Sequence, residues 1–127
     1  MRQELAKLLM LQKASDLTAA AAAVKRRLGS NEIIPEGSIG KLTASVIARQ
    51  ASRVHTLISG ADSLLSGSDS ELDGVVAEVL VSVPAISIAG GTDEIQKNII
   101  SERVLDLPKE PRVDKGPFRD IPRNTGK

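Results

Sequence analysis

A chain of 127 residues is one domain's worth, and seventeen Lys and Arg against sixteen Asp and Glu leave a net charge of +1, which gives no electrostatic case for nucleic acid or an anionic membrane. A single Phe, with no Trp or Tyr, leaves no rings for single-stranded bases to stack on and suits an all-α core of Leu, Ile, Val and Ala better than a β-sandwich. With no cysteine, disulfides, thiolate chemistry and zinc–cysteine sites are excluded; apolar runs too short to span a bilayer and no apolar signal core in MRQELAK make a soluble, cytoplasmic protein the expectation.

The first predicted element is a long helix over 2–28, with Leu5, Leu9, Leu17, Ala21, Val24 and Leu28 near one stripe. The Ala19–Ala23 run inside it combines the best helix propensity with a small profile, so it reads as a close-packing face. Lys25, Arg26 and Arg27 suit the negative end of the helix dipole, and Gly29 ends the helix. After a turn-rich connection over 30–37, Ser38 can cap a second helix running to Leu65. Its buried side is expected to hold Ile39, Leu42, Val46, Ile47, Val54, Ile58, Ala61 and Leu65, and its exposed side Lys41, Arg49, Gln50 and Arg53. His55, the only histidine, has no second ligand or acidic partner near it in sequence and reads as a packed or surface residue.

A polar loop, SGSDS, follows, in which Asp69 or Ser70 can cap a third helix over 71–83 that ends before, or kinks at, Pro84. The stretch AISIAGG is expected to be extended and to deliver the chain to Gly90 and Gly91. A fourth helix then spans about 92–106: Thr92 as N-cap, Asp93 and Glu94 opposing the dipole, Ile95, Ile99, Ile100, Val104 and Leu107 on the buried side, and Gln96 on the polar side. The tail over 108–127, rich in Pro and charge, has no core of its own, and Phe118 is its expected anchor. The expected fold is an all-α, antiparallel four-helix bundle over 1–107 with an extended tail over 108–127.

Of chemistry the residues offer little. Carboxylates are spread over helix ends and polar faces, the serines have no paired base, there is no metal-ligand cluster, and no Gly-rich loop follows a strand. The Gly-Gly-Thr turn is the exception, since a helix start without side chains can receive an anion or a flat cofactor edge. A tight, well-capped turn with no ligand is the alternative, and the spacing leaves both open.

The stretch IAGGTDEIQKNIISERVLDLPKE closely resembles the last helix of the acyl-CoA dehydrogenases, in which Glu or Gly precedes Gly-Thr-x-x-Ile-Gln and an Arg follows. A weaker resemblance runs back through GSIGKLTASVIARQASRVHTLISGADSLL and forward into PRVDKGPFRDIPRN. It implies the C-terminal domain of an enzyme that holds FAD between subunits and removes the α-proton of an acyl-CoA thioester as the β-hydride passes to the flavin. In lipid or steroid side-chain oxidation, acyl-CoA would be the substrate and dehydrogenase subunits, the same or different, the partners. The resemblance makes Gly91 a substrate contact and Thr92, Asp93 and Glu94 flavin contacts. Gly60 is what remains of a second flavin contact, where Leu57 stands in place of a Gln. At the position of the usual catalytic Glu the chain has Gly90, like the bacterial members in which the base lies elsewhere. The chain spans the C-terminal third of a usual member. It is therefore expected to be inactive alone, as a split or truncated enzyme or as a domain kept for assembly without flavin.

Overall fold

The computed structural model describes residues 1–29, 36–70, 72–109 and 116–121, apart from the side chains of Glu36 and Phe118. The anchoring role expected of Phe118 and most of the 30–37 connection therefore lie outside the described residues. Four helices form: α1 (Arg2–Arg27), α2 (Glu36–Ser59), α3 (Val75–Ile86) and α4 (Asp93–Arg103), and no strand occurs among the described residues. The all-α, four-helix expectation holds. Among the described residues α1, α3 and α4 each pack against α2 and not against one another, so α2 is the hub of an open bundle.

Local chemistry sets most of the boundaries. α1 ends in Lys25, Arg26 and Arg27, its last carbonyls accept from the Leu28 and Gly29 N–H groups, and Gly29 turns left-handed at φ +75°. α2 begins at Glu36 rather than Ser38 and stops at Ser59 rather than Leu65, because Gly60 adopts φ +59° and opens a 3-10 turn over Gly60–Leu64.

The third helix differs most from its expected form. Neither Asp69 nor Ser70 caps it. Its N-cap is Gly74, at φ +83° and without a side-chain cap, and the Ser70 hydroxyl instead donates to Asp62 Oδ2 at 3.1 Å. A Cβ on Gly74 would lie 2.8 Å from the Ser66 Cα, so the close approach of the 66–67 backbone requires glycine here. At the far end the helix passes through Pro84 to Ile86. Proline lacks one N–H, and so close to a C-terminus that loss does not end the helix. The expected extended stretch is also absent: Ser87, Ile88 and Ala89 donate back to Pro84 and Ala85 in tight turns.

What the helices bury inverts the simple amphipathic pattern. On α1 the predicted stripe of Leu5, Leu9, Leu17, Val24 and Leu28 is exposed. The face toward α2 holds Glu4, Leu8, Leu11, Ser15 and Ala22, with Ala22 buried. Both faces of α1 are apolar enough to pack, and the one with small residues lets α2 come closer. Of the expected second-helix stripe, Val54 is buried, but Ile58 on α2 and Leu65 beyond its end are exposed, while Gln50 is buried. The Gln50 amide donates to the Glu4 carbonyl at 3.0 Å and to Glu4 Oε2 at 2.8 Å, and Arg53 lies 3.3 Å from the same carboxylate. The Gln50 hydrogen bond holds the Glu4 carboxyl below its ordinary range, against partial burial, with Arg53 adding to it. On α4 Ile95 is exposed, as are Val104 and Leu107 past its end, and the polar residues Asp93 and Gln96 are buried.

The apolar interior of the described residues comes to Ala22, Val54, Val76 and Val83. α3 is apolar on nearly every side yet buries only Val76 and Val83, leaving Val75, Val81 and Ile86 uncovered. The chain exposes 9985 Å². A compact monomer of 13.4 kDa exposes about 6500 Å². Exposed apolar side chains such as Leu9, Leu17 and Val81 contribute to that surface.

Candidate functional site

The turn between α3 and α4 is held by bonds on several sides. Gly90 and Gly91 both take positive φ, +68° and +94°, and Thr92 follows as an N-cap whose Oγ1 accepts from the Ile95 N–H at 3.3 Å. The Gln96 side chain folds back over the turn, and its amide donates to the Gly90 carbonyl at 2.9 Å. The Asp93 N–H closes the other side by donating to the Ser87 carbonyl at 3.0 Å. A Cβ on Gly91 would sit 2.9 Å from Gln96 Nε2, so a side chain there would have to displace the Gln96 amide. Loss of the cap alone is a small perturbation: Thr92→Ala is expected to cost about 1 kcal/mol in urea unfolding without loss of helicity by circular dichroism.

Three residues of α2 grip this turn. Lys41, Ser45 and Arg49 are four residues apart and so share one stripe. Lys41 Nζ donates to Asp93 Oδ1 at 2.9 Å and to the Ser87 carbonyl at 3.1 Å. Arg49 Nη1 donates to Asp93 Oδ2 at 2.9 Å and to the Ser87 hydroxyl. The buried Ser45 hydroxyl lies 3.3 Å from the Ile86 carbonyl, at the end of α3. Both oxygens of the buried Asp93 carboxylate are thus matched by cations. The hydrogen bond from Lys41 is the main reason its pKa is driven far below the ordinary carboxylate range; burial opposes this and Arg49 adds to it.

The consequence is a turn with three of its carbonyls held from within and several donors left over. The carbonyls of Ile86, Ser87 and Gly90 are engaged by Ser45, Lys41 and Gln96. Among the described residues, the N–H groups of Gly90, Gly91, Thr92 and Glu94 have no protein acceptor. Free donors at a helix start, beside glycines with no side chain in the way, form a surface for an anion or the acceptor edge of a flat ring.

Of the site residues expected from sequence, Gly91, Thr92, Asp93 and Glu94 come together here. Asp93 turns its side chain inward, while Glu94 is exposed. Gly60 is not brought to them: it ends α2, and the eleven residues from Arg49 to Gly60 correspond to about 16 Å of helix. Leu57 stands between, on an open groove of about 510 Å³ between α2 and α3 that Arg49, Arg53, Leu80 and Val83 also line. His55 is exposed, and no three acidic or histidine side chains cluster in a way that could hold a metal among the described residues. Sequence reasoning missed Lys41, Ser45, Arg49 and Gln96 as parts of the site. The four-residue spacing of the first three was the available signal, but nothing local pairs them with an aspartate more than forty positions away.

Comparison with known proteins adds one match. Residues 1–105 fit the family model described as acyl-CoA dehydrogenase, C-terminal domain. No curated protein and no solved structure matches the chain significantly. Among the described residues no helix is long and apolar enough to cross a membrane. The family match begins with α1 and runs past the end of α4, so it takes in all four helices and the gripped turn: the chain belongs to the acyl-CoA dehydrogenase family and carries its C-terminal domain.

Proposed function

We propose that this chain is the C-terminal helical part of an FAD-dependent acyl-CoA dehydrogenase, an oxidoreductase that introduces the α,β double bond into acyl-CoA thioesters of lipid or steroid side-chain oxidation in the cytoplasm. The observation that carries this reading is the α3–α4 turn, which presents unshared N–H groups from a rigid seat. The residues present fit a flavin. The glycines leave its approach open, and the Asp93 charge, which would otherwise repel a pyrophosphate, is turned inward and neutralised by Lys41 and Arg49. A bound flavin would supply the acceptor for the substrate's β-hydride. This chain's own contribution is to orient that flavin through Thr92 and the neighbouring N–H groups and to hold Gly91 against the thioester. Gly90 has no side chain to take the α-proton, so the base belongs to another part of the assembly and the chain alone is inactive.

The exposed apolar faces of α1 and α3 support the same reading, because they are surfaces that dehydrogenase subunits or domains would cover. A second reading, an assembly module that binds no flavin, has support of its own. Thr92 caps α4 and Gln96 holds the Gly90 carbonyl, so the fold by itself gives each residue a use. Flavin content separates the two. The chain purified together with the protein encoded immediately upstream is expected to show the visible absorbance of bound flavin, close to one per helical bundle, whereas the chain alone is expected to be colourless. A colourless, well-assembled complex would establish the module without flavin instead.

A further inference from the structure

We infer that Lys41, acting through Asp93 and with Arg49 beside it, is the positioning residue that sets the flavin-facing turn at its working angle to the bundle. The inference rests on the function proposed above and goes beyond it in naming residues of α2, outside the turn itself.

The argument begins from connectivity. Among the described residues α4 packs on α2 alone, and α3 and α4 do not touch each other. The angle at which the turn leaves the bundle is therefore decided by what α2 does to it. The one place where α2 holds the turn by directed bonds is the Lys41–Ser45–Arg49 stripe. Those bonds fall at Ile86, Ser87 and Asp93, the two ends of the turn, and leave the N–H groups of Gly90, Gly91 and Thr92 between them free to face a ligand. Asp93 is two residues from Gly91 and adjacent to Thr92, so a shift of its carboxylate passes directly into the N–H groups on offer. Apolar packing cannot substitute for this grip, because Ile95, the α4 residue nearest the turn that could provide it, is half exposed.

Charge adds a second effect. Two cations face one carboxylate, so the seat beneath the turn carries a net positive charge, which favours an electron-rich or anionic group on the far side. Lys41→Met removes one cation and two hydrogen bonds, whereas Lys41→Arg keeps the charge and can donate to the same two oxygens.

Two measurements test this on the full chain. In the chain without flavin, hydrogen exchange at the Asp93 and Gln96 amides is expected to accelerate in Lys41→Met, with α1 amides unchanged. In the flavin-loaded assembly, held well below its melting temperature, flavin release is expected to quicken tenfold or more in Lys41→Met and to return close to the wild-type rate in Lys41→Arg. Faster exchange with unchanged flavin release would overturn the inference and reduce the grip to a matter of stability; unchanged exchange would also overturn it. Should Lys41→Met fail to assemble, Arg49→Gln leaves the Lys41–Asp93 pair standing and is expected to shift release in the same direction by a smaller factor. Unchanged release in that variant counts against the inference. A wild-type assembly with no flavin sinks the proposed function itself, and this inference with it, a result distinct from any difference between variants.

Discussion

Asp93→Asn is expected to lower the melting temperature of the full chain by about 5 °C at pH 7 and to remove much of the pH dependence of its stability on the acid side. The substitution preserves size but leaves Lys41 and Arg49 facing each other without the charge that brings them together. The direction of the pH effect follows from the lowered pKa. In the unfolded chain the Asp93 carboxyl binds its proton near its ordinary value of 3.8, whereas in the folded chain it resists protonation to much lower pH. Between those limits the unfolded state holds the extra proton, so stability rises with pH. The contribution of Asp93 is complete above about pH 5 and is lost progressively as the pH falls below 4. Wild type and variant should therefore differ most near neutrality and converge toward pH 2, as followed by thermal melts at half-unit intervals. Glu4, whose pKa is also lowered, gives both proteins a residual slope of the same sign. A difference that stayed constant down to pH 2 would mean that the carboxylate charge is not what holds the turn.

The sequence made the helices legible but not their sides. Where a local rule governs, the reading and the structure agree: the basic last turn of α1, the glycine that ends it, and Thr92 capping α4 all depend on neighbours within four residues. Where the outcome depends on a distant partner, they part. Lys41, Arg49 and Gln50 lie on the polar side of α2, which periodicity assigns to the surface. That rule assumes one buried face, and α2 has three neighbours, so its polar side is also an interface, with Glu4 on one flank and Asp93 on another. Leu5, Leu9 and Val81 were legible as apolar, but periodicity cannot tell a face that packs within the chain from one that another subunit or domain covers. The candidate site divides the same way. Gly91 and Thr92 could be found from sequence because the turn chemistry is local. The α2 stripe beneath them could not, because the contacts that define it span 38 to 52 positions.

Gly91→Val is expected to have the largest effect within the turn, about 3 kcal/mol in urea unfolding, and, on the function proposed above, to lower flavin content. Two costs combine. At φ +94° a β-branched side chain is strained whatever surrounds it, for about 1–3 kcal/mol. The new Cβ also meets Gln96 Nε2 at 2.9 Å. That amide sits at the end of a flexible side chain and can swing away, so the contact itself is relieved cheaply. Its bond to the Gly90 carbonyl is lost in doing so, leaving a buried amide and the inner edge of the turn without their partners, for about 1 kcal/mol more. Gly90 provides the internal control. It has a similar positive φ of +68°, yet a Cβ there meets nothing within 4 Å, so Gly90→Ala should cost the backbone strain alone, about 1 kcal/mol. The difference between Gly91→Ala and Gly90→Ala therefore isolates what the Gln96 strap contributes. That difference should vanish in a Gln96→Ala background, where the strap is already gone. If it persisted there, the rigidity of the turn would have to come from its backbone alone, and the seat on α2 would be holding a loop that already keeps its own shape.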